Sequence, residues 1–240
     1  MTTVVFVHAF GSSSRAWAPQ LAALSDRYRL RSPDLPGHGR AVGPLTLERA
    51  VAVVRDSFSG AEAVHLVGIS GGAAVAVLAA LDQPEPLAGV VLSGGFAHVP
   101  RTFALQRAVT RALPWRLYTA LARGFYSGGR PEHARAADED LQRCGKDGLL
   151  AMLREIAHLD LRDRLSEIAV PALVLCGARD RSNIPGSREL AAGIPGAQLR
   201  IIPGANHLWN LQQPELFTWT VDRFVEQASR ARDGRWPNMP

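Results

Sequence analysis

Ala63-Val64-His65-Leu66-Val67-Gly68-Ile69-Ser70-Gly71-Gly72-Ala73-Ala74-Val75-Ala76-Val77-Leu78-Ala79-Ala80-Leu81 is the stretch that decides the fold. Its first part, 63–69, is a short apolar run of the kind that suits a strand buried on both faces. Gly71–Leu81 reads as the helix that follows. Between them, Gly68-Ile69-Ser70-Gly71-Gly72 fits the pattern G-x-S-x-G, directly after a strand and directly before a helix, the context that pattern requires. A side chain on so sharp a turn is held in strained backbone geometry, and bulky neighbours would clash with it. The turn presents Ser70 Oγ at the sheet edge. It also leaves the Gly71 N–H at a helix N-terminus, where a free donor and the helix dipole favour a developing oxyanion. The bland alternative is a glycine-rich turn holding an ordinary serine, and the strand-to-helix context weighs against it.

The alternation continues on both sides. Upstream, Thr3–Val7 and 28–32 read as strands, and 15–24 as a helix with Trp17, Leu21 and Leu24 on one face. Pro33 to Gly39 must be loop, and Thr46 is an N-cap for a helix running to about Phe58. Downstream, Leu87–Ser93, 170–176 and Gln198–Ile202 read as strands, with a helix over 186–192. Pro214 opens a final helix with Phe217, Val221, Phe224 and Val225 on its apolar face, and the tail from Asp233 reads as frayed. These elements predict an α/β fold: a mostly parallel sheet of about six strands, right-handed crossovers, helices on both faces. The interval between Ser93 and Val170 breaks the pattern. It reads as helices over 103–113, 115–125, 131–143 and 148–159. We therefore expect a core made of 1–96 and 160–240, and a helical lid, 97–159, over the C-terminal sheet edge where ligands bind.

A serine alone is a poor nucleophile and needs a base oriented by an acid. Asp180 follows the fifth strand, in Leu175-Cys176-Gly177-Ala178-Arg179-Asp180, and His207 follows the sixth, in Pro203-Gly204-Ala205-Asn206-His207. The order Ser70, Asp180, His207 is the nucleophile–acid–histidine order of the α/β-hydrolases. Asp163 is a rival acid, but no strand precedes it.

Three further segments join the nucleophile turn. Val5-Phe6-Val7-His8-Ala9-Phe10-Gly11 resembles the HG strand-loop of the α/β-hydrolase superfamily, and Asp34-Leu35-Pro36-Gly37-His38-Gly39 resembles its D-x-P/R-G-H-G loop. The block from Gly204 to Phe217 resembles its catalytic-histidine segment. With these motifs in order over almost the whole chain, the sequence resembles a serine esterase or lactonase of that superfamily, with a helical lid. The resemblance implies that the Phe10 N–H is the second oxyanion donor beside Gly71, that His8 and His38 are structural, and that the first strand corresponds to the third of the family's eight. Ala9 stands where the family has glycine, which puts the pose of the Phe10 amide in question. Arg40 stands where a small residue often follows.

The expected chemistry is acyl transfer with water resolving the acyl-enzyme: Ser70 attacks, His207 takes its proton, Asp180 orients His207, and the Phe10 and Gly71 amides hold the oxyanion. Trp17, Trp115, Tyr118, Phe125, Tyr126 and Trp209 are candidates for the substrate pocket, which would then favour a small, largely hydrophobic ester or lactone. From Pro86 to Pro131 there is no Asp or Glu, while Arg101, Arg107, Arg111, Arg116, Arg123 and Arg130 fall there. An anionic carrier thioester is the alternative they suggest. On helical spacing, Arg107 and Arg111 share one face and Leu105, Val109 and Leu113 another, so the arginines should point away from Ser70. A lyase or cyclase using His207 as base, or a non-catalytic binding protein, remain readings from other classes.

The rest of the composition excludes more than it assigns. With 240 residues, 47% hydrophobic and 20% charged, the chain is neither disordered nor in need of a staple. Its only cysteines, Cys144 and Cys176, are far apart, so no disulfide framework or cysteine zinc site is expected, and no histidine pair has metal spacing. No metal or cofactor is expected. Of the 27 basic residues only Lys146 is lysine, a compositional bias that accompanies the net charge of +5; no nucleic-acid-reading motif goes with it. No apolar run is long enough for a membrane span, and the N-terminus has no charged leader region, so a cytoplasmic protein acting on a small-molecule ester is expected. His65 reads as packing within its strand, and His98, His133 and His158 as solvated.

Overall fold

The computed structural model describes residues 1–81, 84–99 and 102–230. Six strands, β1 (Thr3–Val7), β2 (Arg29–Arg31), β3 (Val64–Ile69), β4 (Leu87–Ser93), β5 (Ala172–Gly177) and β6 (Gln198–Ile202), form one sheet in the order β2-β1-β3-β4-β5-β6. Every neighbouring pair is parallel, with Val7 opposite Gly68 and Ile69 opposite Ser93. The four central strands are almost wholly buried, which explains their continuous Val/Leu runs. The short edge strand β2 is Arg-Leu-Arg, and Arg31 caps the Ser57 carbonyl at 2.8 Å. Such charges discourage pairing with another chain.

The chain order runs outward from β1 to β2, then returns to the other side of β1 for β3. The C-terminal ends of β1 and β3 are therefore a topological switch point, where crossovers diverge and leave a crevice. The Phe10 loop and the Ser70 turn both emerge there.

Helices α1 (Ala18–Leu24), α2 (Leu47–Asp56), α3 (Gly71–Leu81), α7 (Ile184–Gly193) and α9 (Pro214–Arg230) cover the sheet, with a short α8 (Trp209–Gln212) ahead of α9. Helix α3 buries nearly every side chain, so its alanine-rich sequence is a packing requirement, not an amphipathic stripe. The Thr46 hydroxyl accepts the Arg49 N–H at 3.2 Å and caps α2 as expected. The helix expected over 15–24 is a 3₁₀ turn, Ser14–Trp17, then α1; Pro19 has no N–H to give, so regular α bonding starts only there.

Between β4 and β5 lie α4 (Thr102–Ala112), α5 (Trp115–Tyr126) and α6 (Pro131–Glu155), then a 3₁₀ turn, Arg162–Glu167. The break expected between helices over 131–143 and 148–159 falls at Gly145, whose φ 68° and ψ 167° divide α6 into two helical parts, and the second part ends at Glu155. At the neck, His98 and Asp160 form an antiparallel bridge, and the Leu161 N–H donates to Ala97 O at 2.8 Å. Arg101 and the tail expected to fray lie outside the described residues. Among those residues no helix is long and apolar enough to cross a membrane.

Candidate active site

Ser70 has φ 56°, the one non-glycine residue at positive φ among the described residues. That strain is held from both sides. The Ser70 N–H donates to Ser93 O at 2.8 Å, fixing the turn to β4. Gly72 packs against the end of β1: a Cβ there would lie 2.3 Å from Val7 O, so any larger residue would push α3 off the sheet. Among the described residues the N–H groups of Gly71 and Phe10 donate to no protein acceptor, as expected for the first turn of a helix and for an open loop.

His207 Nδ1 and Asp180 Oδ2 are 2.6 Å apart, and both side chains are buried. The other carboxylate oxygen, Oδ1, accepts Asn183 Nδ2 at 2.8 Å and Ser182 Oγ at 3.3 Å. Burial pushes the Asp180 carboxyl up, but its hydrogen bonds to His207, Asn183 and Ser182 outweigh that and leave it below the ordinary carboxylate range. Asp180 is therefore an anion that accepts the Nδ1 proton. Asp163 lies exposed in the 162–167 turn, so the acid beside His207 is Asp180, not the rival. Gly94, at φ 56°, gives the pair its room: a Cβ there would come within 3.1 Å of the His207 ring.

Two loops scaffold the Phe10 amide. His8 is buried; its Nδ1 donates to Ala9 O at 2.8 Å and its Nε2 accepts the Leu35 N–H at 3.0 Å. Burial, reinforced by nearby His38, lowers its pKa to about 3, so the ring is neutral and structural. Asp34 accepts the Ser14 N–H at 2.7 Å and the Arg40 N–H at 2.8 Å, tying the D-x-P-G-H-G loop to the loop after β1. Arg40 thus serves through its backbone. Ala9 is not at positive φ, so its replacement of glycine costs no backbone strain. His38 is likewise buried and neutral, held by Pro36 O at 3.1 Å.

Ser70, Phe10 and His207 open onto one cavity of about 460 Å³. Its walls are mainly apolar, with Phe103, Leu105, Val109, Leu121, Met152 and Leu153 from the β4–β5 helices. Of the aromatics singled out in the sequence, Tyr118, Phe125 and Tyr126 line it, and Phe125 stacks on the His207 ring at 5.0 Å. Trp17, Trp115 and Trp209 do not. Trp17 is fully buried between Phe6 and Phe217, and Trp209 is buried against Phe217 with Nε1 donating to Ser93 Oγ at 2.9 Å. Trp115 stacks flat on Tyr118 from behind, with Nε1 donating to Gln142. Large rings beside a motif were drawn to the core beneath it. His98, partly exposed as expected, also pairs with Glu189 at 2.8 Å.

Asn183 and Ser182 were missed in the sequence. Their signal was available: donors two and three residues after an acid are placed to turn back on it. A larger cavity, about 670 Å³, lies at the opposite edge of the sheet by Thr2, Leu87 and Pro171 and holds none of these groups. Among the described residues no three His, Cys, Asp or Glu side chains are grouped to hold a metal.

Residues 4–218 match the model of the "Alpha/beta hydrolase family". The chain is 28% identical to the "Putative carbamate hydrolase RutD" of Caulobacter sp. (strain K31), over 93% of this chain and 90% of that one. It is 25% identical to "3-oxoadipate enol-lactonase 2" of Acinetobacter baylyi, over 93% and 88%. The crystal structure of the enol-lactonase from Burkholderia xenovorans LB400 superposes with a TM-score of 0.80 at 26% identity, covering 94% of this chain and 91% of that one. The chain belongs to the alpha/beta hydrolase family. The relatives quoted are named as a putative carbamate hydrolase and enol-lactonases, and with them the chain is a hydrolase of the same kind of fold.

Proposed function

We propose that the chain is a serine hydrolase that cleaves a small, largely hydrophobic carboxylic ester or lactone through an acyl-enzyme. The observation that carries the reading is the strained Ser70, sharing one apolar cavity with a His207 that is already hydrogen-bonded to anionic Asp180. In this reading Ser70 Oγ attacks the acyl carbon, and its proton passes to His207 Nε2. Asp180 holds the imidazole with its other proton on Nδ1 and stabilises the imidazolium. The Phe10 and Gly71 N–H groups receive the carbonyl oxygen as it gains charge. His207 then protonates the leaving alcohol, and water repeats the sequence on the acyl-enzyme.

Residues 1–96 and 160–240 act as the hydrolase core and 97–159 as the lid, a division supported by the His98–Asp160 bridge at the neck. Tyr118, Phe125 and Tyr126 form the substrate's aromatic wall. Leu105 and Val109 line the cavity, whereas Arg107 and Arg111 are exposed away from it, which favours a neutral ester over an anionic carrier thioester. An enol-lactone is an ester, so the activity named for the Acinetobacter relative falls within the proposed class.

A panel of p-nitrophenyl esters and coenzyme A thioesters, from two to sixteen carbons, tests the reading. Short to medium neutral esters should turn over, and Ser70→Ala should abolish that turnover. Native turnover by Ser70→Ala would favour a lyase or cyclase instead.

A further inference from the structure

The loop that presents the Phe10 amide is gripped from two sides. From the core, Asp34 accepts the Ser14 N–H at 2.7 Å. From the insertion comes Asp140 of α6, whose side chain is only 4% exposed. Ser13 Oγ donates to Asp140 Oδ2 at 2.6 Å, and Arg15 Nη2 donates to Asp140 Oδ1 at 2.5 Å. Both carboxylate oxygens are thus satisfied by the same short segment, 127 residues away in sequence. Arg15 also reaches Glu139 at 2.7 Å, but that carboxylate is 40% exposed and shared with Arg135. Between Phe10 and Ser13 stands Gly11 at φ 79°, with the Tyr126 hydroxyl so close that a Cβ on Gly11 would meet it at 2.7 Å.

A buried carboxylate is costly, and apolar residues of similar volume would hold two elements together at least as well. What a carboxylate adds is direction. It fixes where Ser13 lies to within a hydrogen bond, and so where Phe10, three residues upstream, points its N–H. An oxyanion donor acts only if it sits about 3 Å from the place the charge develops, and a 1 Å misplacement can cost about 10²-fold.

We propose that Asp140 is a positioning residue of the oxyanion hole: by taking Ser13 and Arg15 together, it lets the insertion set the pose of the Phe10 N–H. The inference rests on the reading of Phe10 as an oxyanion donor. Glu139, on the same helix and bound to the same arginine, does not share the role, because its pairing is solvated and leaves Ser13 untouched.

The test compares Asp140→Asn, Ser13→Ala and Glu139→Gln with the wild-type chain by two independent readouts. Hydrogen–deuterium exchange of the segment from Val7 to Trp17 should speed up about tenfold or more in Asp140→Asn, and less in Ser13→Ala. With p-nitrophenyl butyrate, kcat should fall about 10–100-fold in Asp140→Asn with KM within about twofold, since what weakens is the stabilisation of a charge that forms only in the transition state. The Ki of an alkylboronic acid, whose tetrahedral Ser70 adduct places an oxygen in the hole, should rise in step with the loss of kcat. Glu139→Gln should stay within about threefold on every readout. Faster exchange with unchanged kcat, or a lower melting temperature with unchanged exchange and kcat, would overturn the proposal. If Asp140→Asn does not fold, Ser13→Ala decides, and wild-type exchange and kcat in that variant overturn it. A wild-type chain that takes no serine-directed label at Ser70 defeats the functional reading itself, and shows this without any variant.

Discussion

Asp180→Asn keeps the size of the side chain and changes one atom, and the surrounding hydrogen bonds dictate which. Asp180 Oδ1 accepts Asn183 Nδ2 at 2.8 Å and Ser182 Oγ at 3.3 Å. The new amide must place its oxygen there, since an NH₂ group would face the Asn183 donor. Its NH₂ then occupies the Oδ2 position, 2.6 Å from His207 Nδ1. A donor at that point forces Nδ1 to accept, so the ring proton moves to Nε2, the nitrogen that must take the proton of Ser70. A base locked in the wrong tautomer loses about 10⁴-fold in kcat, equivalent to about 5 kcal/mol of transition-state stabilisation. KM should change little. Steady-state turnover of p-nitrophenyl butyrate measures this directly, with circular dichroism to show that the fold is kept. The double variant Asp180→Asn, Asn183→Ala frees the amide to rotate and should recover about tenfold or more of the lost activity. A loss below about tenfold in the single variant would refute the tautomer argument and the role of Asp180 with it.

Three other outcomes follow from the same geometry. Burial lowers the pKa of His8 to about 3 and of His65 to about 4, so the folded state favours their neutral forms; stability is complete above the ordinary value near 6.5 and is lost as pH falls below it, by about 2 kcal/mol for each ring at pH 5. Urea unfolding at pH 7.5 and pH 5 should show that decline, and a flat or rising stability toward pH 5 would contradict it. Trp17→Ala empties a site between Phe6 and Phe217 and should cost about 3–5 kcal/mol by urea unfolding while leaving KM of the folded enzyme unchanged; a raised KM would return Trp17 to the substrate pocket. The paired Arg107→Ser, Arg111→Ser variant should keep kcat/KM for a neutral ester within about twofold, because exposed charges that contact neither cavity nor core contribute little. A large loss confined to thioesters would instead promote the anionic-carrier reading.

The sheet and its strained Ser70 turn were legible because they rest on local rules. A fully buried parallel strand must be continuously apolar, and a serine at positive φ between glycines leaves a short, recognisable pattern. Asp180 and His207 were legible because each follows a strand end by a few residues. What escaped the sequence is long-range. Nothing in Ser13 or Asp140 taken singly announces a bond across 127 residues. The tryptophans misled for a related reason: a large ring next to a motif can turn up toward the ligand or down into the core, and Phe217 of α9, with Phe6 of β1 against Trp17 and Ser93 of β4 bound to Trp209, settled both toward the core. The break in the insertion was legible, by contrast: helices expected over 131–143 and 148–159 meet at Gly145, whose φ of 68° no helix contains.

The central claim is that Ser70 forms a covalent acyl bond under the control of His207. Intact-mass measurement after exposure to a fluorophosphonate, followed by peptide mapping, addresses it most directly. One adduct per chain is expected, on the peptide containing Gly68-Ile69-Ser70-Gly71-Gly72, formed at least about 10³-fold more slowly in His207→Ala. No adduct on that peptide, or equal labelling rates in the wild type and in His207→Ala, would contradict the account.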